Sequence, residues 1–229
     1  MNILSLDTTL NRCSVAVLAD DAVLAHEAQE LRRGHAEALM PMIQRALGTA
    51  GLAFEDLDLI AVTTGPGTFT GQRVGLSAAR GIGVATGIPV QGVGTMSAIA
   101  LAATGTNSGR DILVVLDARR GEFYAQHFPH NSPVWPDHAP PRAIPTDQLS
   151  GLLPPGPCLL TGTGVAMATE ILGAGNPDIV FSTTTAEADA VEVARLAAQI
   201  VADQGMPAEP PAPLYLRAPD AKLPGGKSL

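Results

Sequence analysis

Positive charge is scarce in this chain of 229 residues, where 14 Lys and Arg stand against 22 Asp and Glu for a formal net charge of −8. Nucleic-acid affinity rests largely on Lys and Arg neutralising phosphates, so the chain is not expected to hold a polyanion by itself. Any RNA has to be met through a partner's surface. Cysteine is almost missing: Cys13 and Cys158 lie far apart without metal-type spacing, which predicts reduced, buried thiols. The opening MNILSLDTT has no basic segment followed by a long apolar stretch, so no secretion signal is read and a cytoplasmic protein is expected. No Ser sits in a G-x-S-x-G elbow and neither cysteine has a plausible nearby His, which leaves nucleophilic catalysis without support.

What the chain does have is apolar content, 46%, enough for a real core in one large domain or two small ones. Its most informative stretch is Thr63 to Gly81, TTGPGTFTGQRVGLSAARG. The apolar run Leu57, Leu59, Ile60, Ala61, Val62 predicts a buried strand, Gly65, Pro66 and Gly67 a turn, and Thr70 to Gly87 a helix stopped by glycine and then Pro89. A glycine loop at a helix N-terminus invites a phosphate, with Gly65 and Gly67 as candidates beside a purely structural turn. Neither the Walker pattern nor G-x-G-x-x-G is met. Within the helix, Gly71, Gly75, Ala79, Gly83 and Gly87 recur every four residues and line one bare stripe. Interior glycines cost about 1 kcal/mol each against alanine, so a close neighbour must offset them, either within the subunit or across an interface. Arg73, Arg80 and a length short of about 20 apolar residues exclude a membrane span.

Elsewhere, strands are expected at Ile3 to Leu6, ending in Asp7, at Cys13 to Leu18 and at Val23 to Glu27. A helix follows with Leu39, Met40, Ile43 and Leu47 on one face, beginning near Met40 or bending at Pro41. After a strand at Val90 to Val93 and a helix from about Ser97 to Ala103, the order restarts. Leu113 to Asp117 repeats the apolar-run-then-Asp pattern of Ile3 to Asp7, and Phe123 to Phe128 supplies a second strand, which suggests a duplicated β/α architecture. Pro129 to Pro145 reads as an extended loop. A strand at Cys158 to Thr161, helices at Val165 to Leu172 and Ala186 to Val201, and an extended tail from Pro207 wrapped on the body complete the reading. The expected division is 1–105, 106–216 and a mobile tail at 217–229.

Four stretches, LDTTLNRCSVAVL, GHAEALMPMIQRAL, TTGPGTFTGQRVGLSAARGIGVATGIPV and LYLR, together resemble the bacterial tRNA threonylcarbamoyladenosine biosynthesis family TsaB, also called YeaZ. VLDARRGEFYA and Tyr215 to Arg217 carry the likeness into the second half. The resemblance implies an α/β fold of the actin-like (ASKHA, ribonuclease H-like) kind, duplicated and with mixed sheets. It also implies a role in attaching threonylcarbamoyl to the adenosine next to the tRNA anticodon. A catalytic sibling, TsaD, shares the first-half motifs. The sibling's H-x-x-x-H metal pair falls here on Gly92 and Met96, and its S-G-G-H segment on Asp117 to Arg120. Gly92 and Met96 offer no ligand that suits a divalent metal. The D-x-G-T phosphate motif is also lost, since Thr8 and Thr9 follow Asp7.

Candidate chemistry is correspondingly thin. His35 heads the first helix, but its four-residue partner is Leu39, so no metal site forms there. Asp7 and Asp117 could face each other across a cleft and hold a magnesium nucleotide, or each could cap a strand-end turn. His26, His127, His130 and His138 show no shared spacing and are read as ordinary. The expectation is a non-catalytic scaffold with no metal of its own, docked on a TsaD-type subunit through His35, Leu39, Ile43, Gly71, Gly75, Ala79 and Gly83. A TsaE-type ATPase joins the larger assembly, ATP or ADP sits at the junction with the partner, and the chain alone forms a homodimer. tRNA is met only through the complex. The alternative is a nucleotide hydrolase or glycoprotease-like enzyme working in its own cleft.

Overall fold

The computed structural model describes residues 1–105, 109–135, 139–173, 175–182 and 187–217. His138, Ala186 and the tail beyond residue 217 therefore lie outside the described residues.

Strand β1 (Asn2–Asp7) is the centre of the first sheet, because its side chains are apolar on both faces and both faces are covered. It pairs antiparallel with β2 (Arg12–Ala19), which pairs antiparallel with β3 (Ala22–Glu30). On its other side β1 runs parallel to β4 (Leu59–Gly65), and β4 parallel to β5 (Val90–Gly94). The second sheet repeats this plan around β6 (Asp111–Asp117). It pairs antiparallel with β7 (Glu122–Phe128) and β7 with β8 (Arg142–Pro145), while β9 (Cys158–Thr161) and β10 (Ile179–Phe181) continue parallel on the other side. The strand orders are β3-β2-β1-β4-β5 and β8-β7-β6-β9-β10. The repeat predicted from Ile3–Asp7 and Leu113–Asp117 is thus a repeat of topology.

Helices make the remaining layers. The outer face of the first sheet is covered by α1 (His35–Ala50) and α2 (Phe69–Thr86), which bury Leu39, Met42, Ile43 and Leu76 against Leu4, Leu6, Val15 and Val62. Between the sheets lie α3 (Thr95–Thr104) and α5 (Ala190–Gln204). Met96, Ile99, Val193 and Ala197 there are 0% exposed, and each large apolar side chain so buried contributes roughly 1.5–3 kcal/mol. Among the described residues, the second sheet's outer face is covered by the short α4 (Val165–Leu172) and a 3₁₀ stretch, Thr146–Leu152. Although α5 follows the second sheet in sequence, it packs on the first. Ser5 Oγ donates to Ala190 O at 2.7 Å and Ala190 N–H to Ser14 Oγ at 3.0 Å.

Three boundaries differ from the sequence reading. Helix α1 starts at His35, and Pro41 sits inside it on the exposed side, where the carbonyl it leaves unbonded can meet water. The expected loop up to Pro145 contains β8, an edge strand of four residues in which proline is tolerated at the end. Helix α5 begins at Ala190, because Asp189 caps it by accepting from Val191 N–H at 3.0 Å.

Candidate functional site

The bare stripe of α2 faces inward. Thr68 caps the helix, its Oγ1 accepting from Gly71 N–H at 3.1 Å, and Gly87 ends it in the left-handed conformation at φ 78°. Between these caps the helix lies directly on the ends of β1 and β4. A Cβ at Gly71 would collide with the Thr8 carbonyl, one at Gly75 would lie 2.7 Å from Thr8 Oγ1, and one at Gly83 2.7 Å from the Val90 side chain. Thr8 Oγ1 also donates to Gly71 O at 2.7 Å. The close neighbour that offsets the glycines is therefore the chain's own sheet. This corrects the expected interface: Gly71, Gly75 and Ala79, with Leu39 and Ile43 on α1, are buried within the subunit, and Gly83 is packed on Val90. His35 and Gly83 stay partly exposed, and His35 Nε2 is buried without a hydrogen-bond partner among the described residues.

The other side of the same two helices is what solvent sees. A groove of about 490 Å³ runs between them, lined by Ala36, Met40, Phe69, Arg73, Val74 and Ser77. Phe69 is 53% and Met40 40% exposed. At its end the Arg73 guanidinium lies 3.7 Å over the Phe69 ring and its Nε donates to Tyr215 Oη at 2.9 Å, while the Phe69 and Tyr215 rings stand 5.6 Å apart. Sequence reading missed this surface because it followed the small residues of α2 and put Met40 on the face of Leu39, Ile43 and Leu47, whereas those three are buried and Met40 is exposed.

A cleft of about 410 Å³ separates the two lobes, lined by Leu10, Asn11, Thr68, Asp117, Arg119 and Thr163 among others. Asp117 does reach it, but as a turn cap. Its Oδ1 accepts from Arg119 N–H at 2.7 Å and its Oδ2 pairs with the Arg119 guanidinium at 3.1 Å. Asp7 does not line it. Asp7 is 0% exposed, and its Oδ1 accepts from Thr63 Oγ1 at 2.6 Å and Thr9 Oγ1 at 2.7 Å, while Oδ2 has no partner among the described residues. Burial pushes this carboxyl up to about 6 despite those hydroxyls. Gly65 is buried, and a Cβ there, at φ 114°, would lie 2.7 Å from Gln72 Nε2; Gly67 borders the cleft, but the side that a Cβ would occupy is closed by Thr9 O at 2.5 Å. An actin-like fold implies a magnesium nucleotide gripped at such strand ends, and these residues do not fit one. The carboxylate is sealed, and the space next to each glycine is filled by its own neighbours.

His26, His127 and His130 are engaged structurally. His26 Nε2 lies 3.0 Å from Asp189 Oδ2, which Arg12 also approaches at 3.4 Å. His127 and His130 both bind Asp111, at 2.7 and 2.8 Å, a cluster that spacing along the chain did not reveal because β6 and β7 bring it together across the sheet. Among the described residues no group of His, Cys, Asp and Glu is arranged to hold a metal ion, and no helix is long and apolar enough to cross a membrane. Burial pushes the Cys13 and Cys158 thiols up to about 12, as unreactive core residues.

Comparison with known proteins gives a consistent answer. The family model of TsaD, tRNA N6-adenosine threonylcarbamoyltransferase, matches residues 23–222. The tRNA threonylcarbamoyladenosine biosynthesis protein TsaB of Escherichia coli K12 is 36% identical over 136 residues, covering 59% of this chain and 58% of that protein, so the match spans little more than half of the relative's length. An uncharacterized protein of Mycobacterium tuberculosis H37Rv is 34% identical over 225 residues, covering 96% of this chain and 93% of its own. The solved structure of YeaZ from Pseudomonas aeruginosa superposes with a TM-score of 0.79 at 24% identity, over 94% of this chain and 99% of that one, and shows the same fold.

Proposed function

We propose, for a chain that belongs to the TsaD family and sits on its TsaB/YeaZ side, that it is an accessory subunit in tRNA threonylcarbamoyladenosine biosynthesis. It acts in the cytoplasm by docking on a TsaD-type catalytic subunit and does no chemistry itself. The observation that carries this reading is the division of labour on α1 and α2. Their small faces are spent on the chain's own sheet, while Met40, Phe69 and Arg73 project outward around an apolar groove. Exposed apolar surface of this kind marks an interaction site. The sealed Asp7 and the self-filled glycine loop support a non-catalytic role, because no step of hydrolysis finds a base, a metal ligand or a phosphate cradle there.

In the isolated chain the same groove serves a two-fold homodimer, which the catalytic subunit displaces. ATP or ADP handled by the assembly binds at the junction with the partner, and a TsaE-type ATPase joins it. With a net charge of −8, this subunit meets tRNA as part of the complex.

The test is reconstitution. Nucleoside mass spectrometry of tRNA should find threonylcarbamoyladenosine when this chain, a TsaD-type subunit and the remaining pathway enzymes are combined, and none when this chain is omitted. Nucleotide or peptide turnover by the purified chain alone, abolished in Asp7→Ala, would replace the scaffold reading with that of an enzyme.

A further inference from the structure

The LYLR segment is the one motif that the docking face only partly absorbs. Leu214 N–H donates to Thr64 O at 2.8 Å, prolonging the hydrogen bonding of β4, and Pro211 lies where a Cβ at Gly92 would come within 2.6 Å of it. Tyr215 then closes on Phe69 and Arg73 of the first lobe. Two residues later the chain has crossed to the second lobe. Arg217 Nη1 donates to Ala118 O at 2.9 Å, Nη2 donates to Arg119 O at 3.1 Å and pairs with the Glu122 carboxylate, and the guanidinium lies 5.7 Å from the centre of the Tyr124 ring.

The turn that Arg217 grips is itself unusual. Arg119 and Arg120 both adopt the left-handed conformation, at φ 63° and 58°, followed by Gly121 at 73°. Such backbone persists where surrounding contacts over-determine it, and Arg217 supplies three of them with one planar fork. Lysine could not reproduce that geometry.

We infer that Pro211–Arg217 is a clasp that fixes the angle between the two lobes, with Arg217 as its catch. Tyr215 ties the clasp to the docking groove, and this second part rests on the docking reading above.

The test uses the full chain. Spin labels at Glu55→Cys on the first lobe and Gln148→Cys on the second, both exposed positions, report the inter-lobe distance, while native Cys13 and Cys158 are buried from the reagent. Diluting labelled with unlabelled chain removes any signal from self-association. The parent should give one narrow distance distribution, Arg217→Ala a broad or shifted one, and Arg217→Lys an intermediate. Glu122→Gln, which loosens the catch without touching the core, should broaden it partially and serves if Arg217→Ala fails to fold. Distributions that superpose on the parent's in the folded variants overturn the clasp. Tyr215→Ala should weaken capture of the TsaD-type subunit about tenfold. Unchanged capture together with a broadened distance would leave the clasp standing and remove the docking role of Tyr215.

Discussion

The two lobes have the same strand order and differ in what covers them. On the first sheet, two long helices lie so close that glycine is required under α2, and the strand-end Asp7 is sealed behind them. On the second, a helix of eight residues and a 3₁₀ stretch cover the sheet, and Asp117 stays at the cleft beside Arg119. A duplicated plan has thus been specialised: one lobe carries a stiff, tightly packed helix pair with an apolar outer surface, while the other holds the end of the clasp. Close approach over glycine occurs in both lobes, since a Cβ at Gly162 would crowd the Val115 carbonyl and one at Gly164 the Phe123 ring; what marks the first lobe is that it recurs along a long helix.

Substitutions can break this contrast. The largest effect is expected at Gly75→Leu, which drives a side chain into Thr8 and Val62 and should cost about 3 kcal/mol or more, read as a loss of denaturation midpoint. In the second lobe, Gly151→Ala meets nothing within 4 Å and should fall within about 0.5 kcal/mol of the parent. Equal effects at the two sites would mean that the lobes are packed alike.

Asp7 gives the next largest. Its carboxyl titrates at 3.8 when unfolded and about 6 when folded, so the unfolded chain loses the proton first. Stability is full below pH 3.8, falls between 3.8 and about 6, and is level above that, by an amount on the order of 2–3 kcal/mol. Asp7→Asn keeps an acceptor for Thr9 and Thr63 and should raise stability at pH 7 by roughly 1–3 kcal/mol while flattening that slope.

At the joint between the lobes, Asp189→Ala removes the α5 cap and the partner of His26, at a cost of roughly 1–2 kcal/mol. Burial pushes the Asp189 carboxyl up, but the His26 hydrogen bond and the Val191 N–H more than reverse this and hold it below its usual range. Its contribution is present above pH 3.8 and is lost as pH falls through the lowered value. The hydrogen bond that His26 donates to the Asp189 carboxylate raises the imidazole, so that contribution is complete below pH 6.5 and disappears as pH rises through the raised value. Urea titrations from roughly pH 2 to 9 would show both limbs in the parent and neither in Asp189→Ala. A smaller effect, of opposite sign, is expected on α2 itself, where Gly81 faces open space and Gly81→Ala should stabilise by about 0.5–1 kcal/mol.

Much of this contrast was legible in the sequence, and where it was not the reason is physical. Apolar runs ending in Asp7 and Asp117 announced both central strands, and Gly87 with Pro89 announced the end of α2, because these depend on local chemistry. The glycine stripe correctly signalled a close neighbour. Which neighbour depends on the distance from α2 to Thr8, a tertiary quantity that a four-residue period does not contain. Strand β8, the 3₁₀ stretch Thr146–Leu152, and the pairing of His127 and His130 with Asp111 likewise depend on strands meeting across the sheet. The exposed Met40 and Phe69 were hidden for the opposite reason: exposed large apolar side chains become informative only once the buried ones are known.

The most direct test of the account is titration of the TsaD-type subunit into Met40→Asp, with Ile171→Asp on the outer surface of the second lobe as its counterpart, since both side chains are 40% exposed. Met40→Asp should bind about 10- to 100-fold more weakly with its melting temperature held, and Ile171→Asp should bind as the parent does. Unchanged affinity in folded Met40→Asp, or an equal loss in Ile171→Asp, would contradict it.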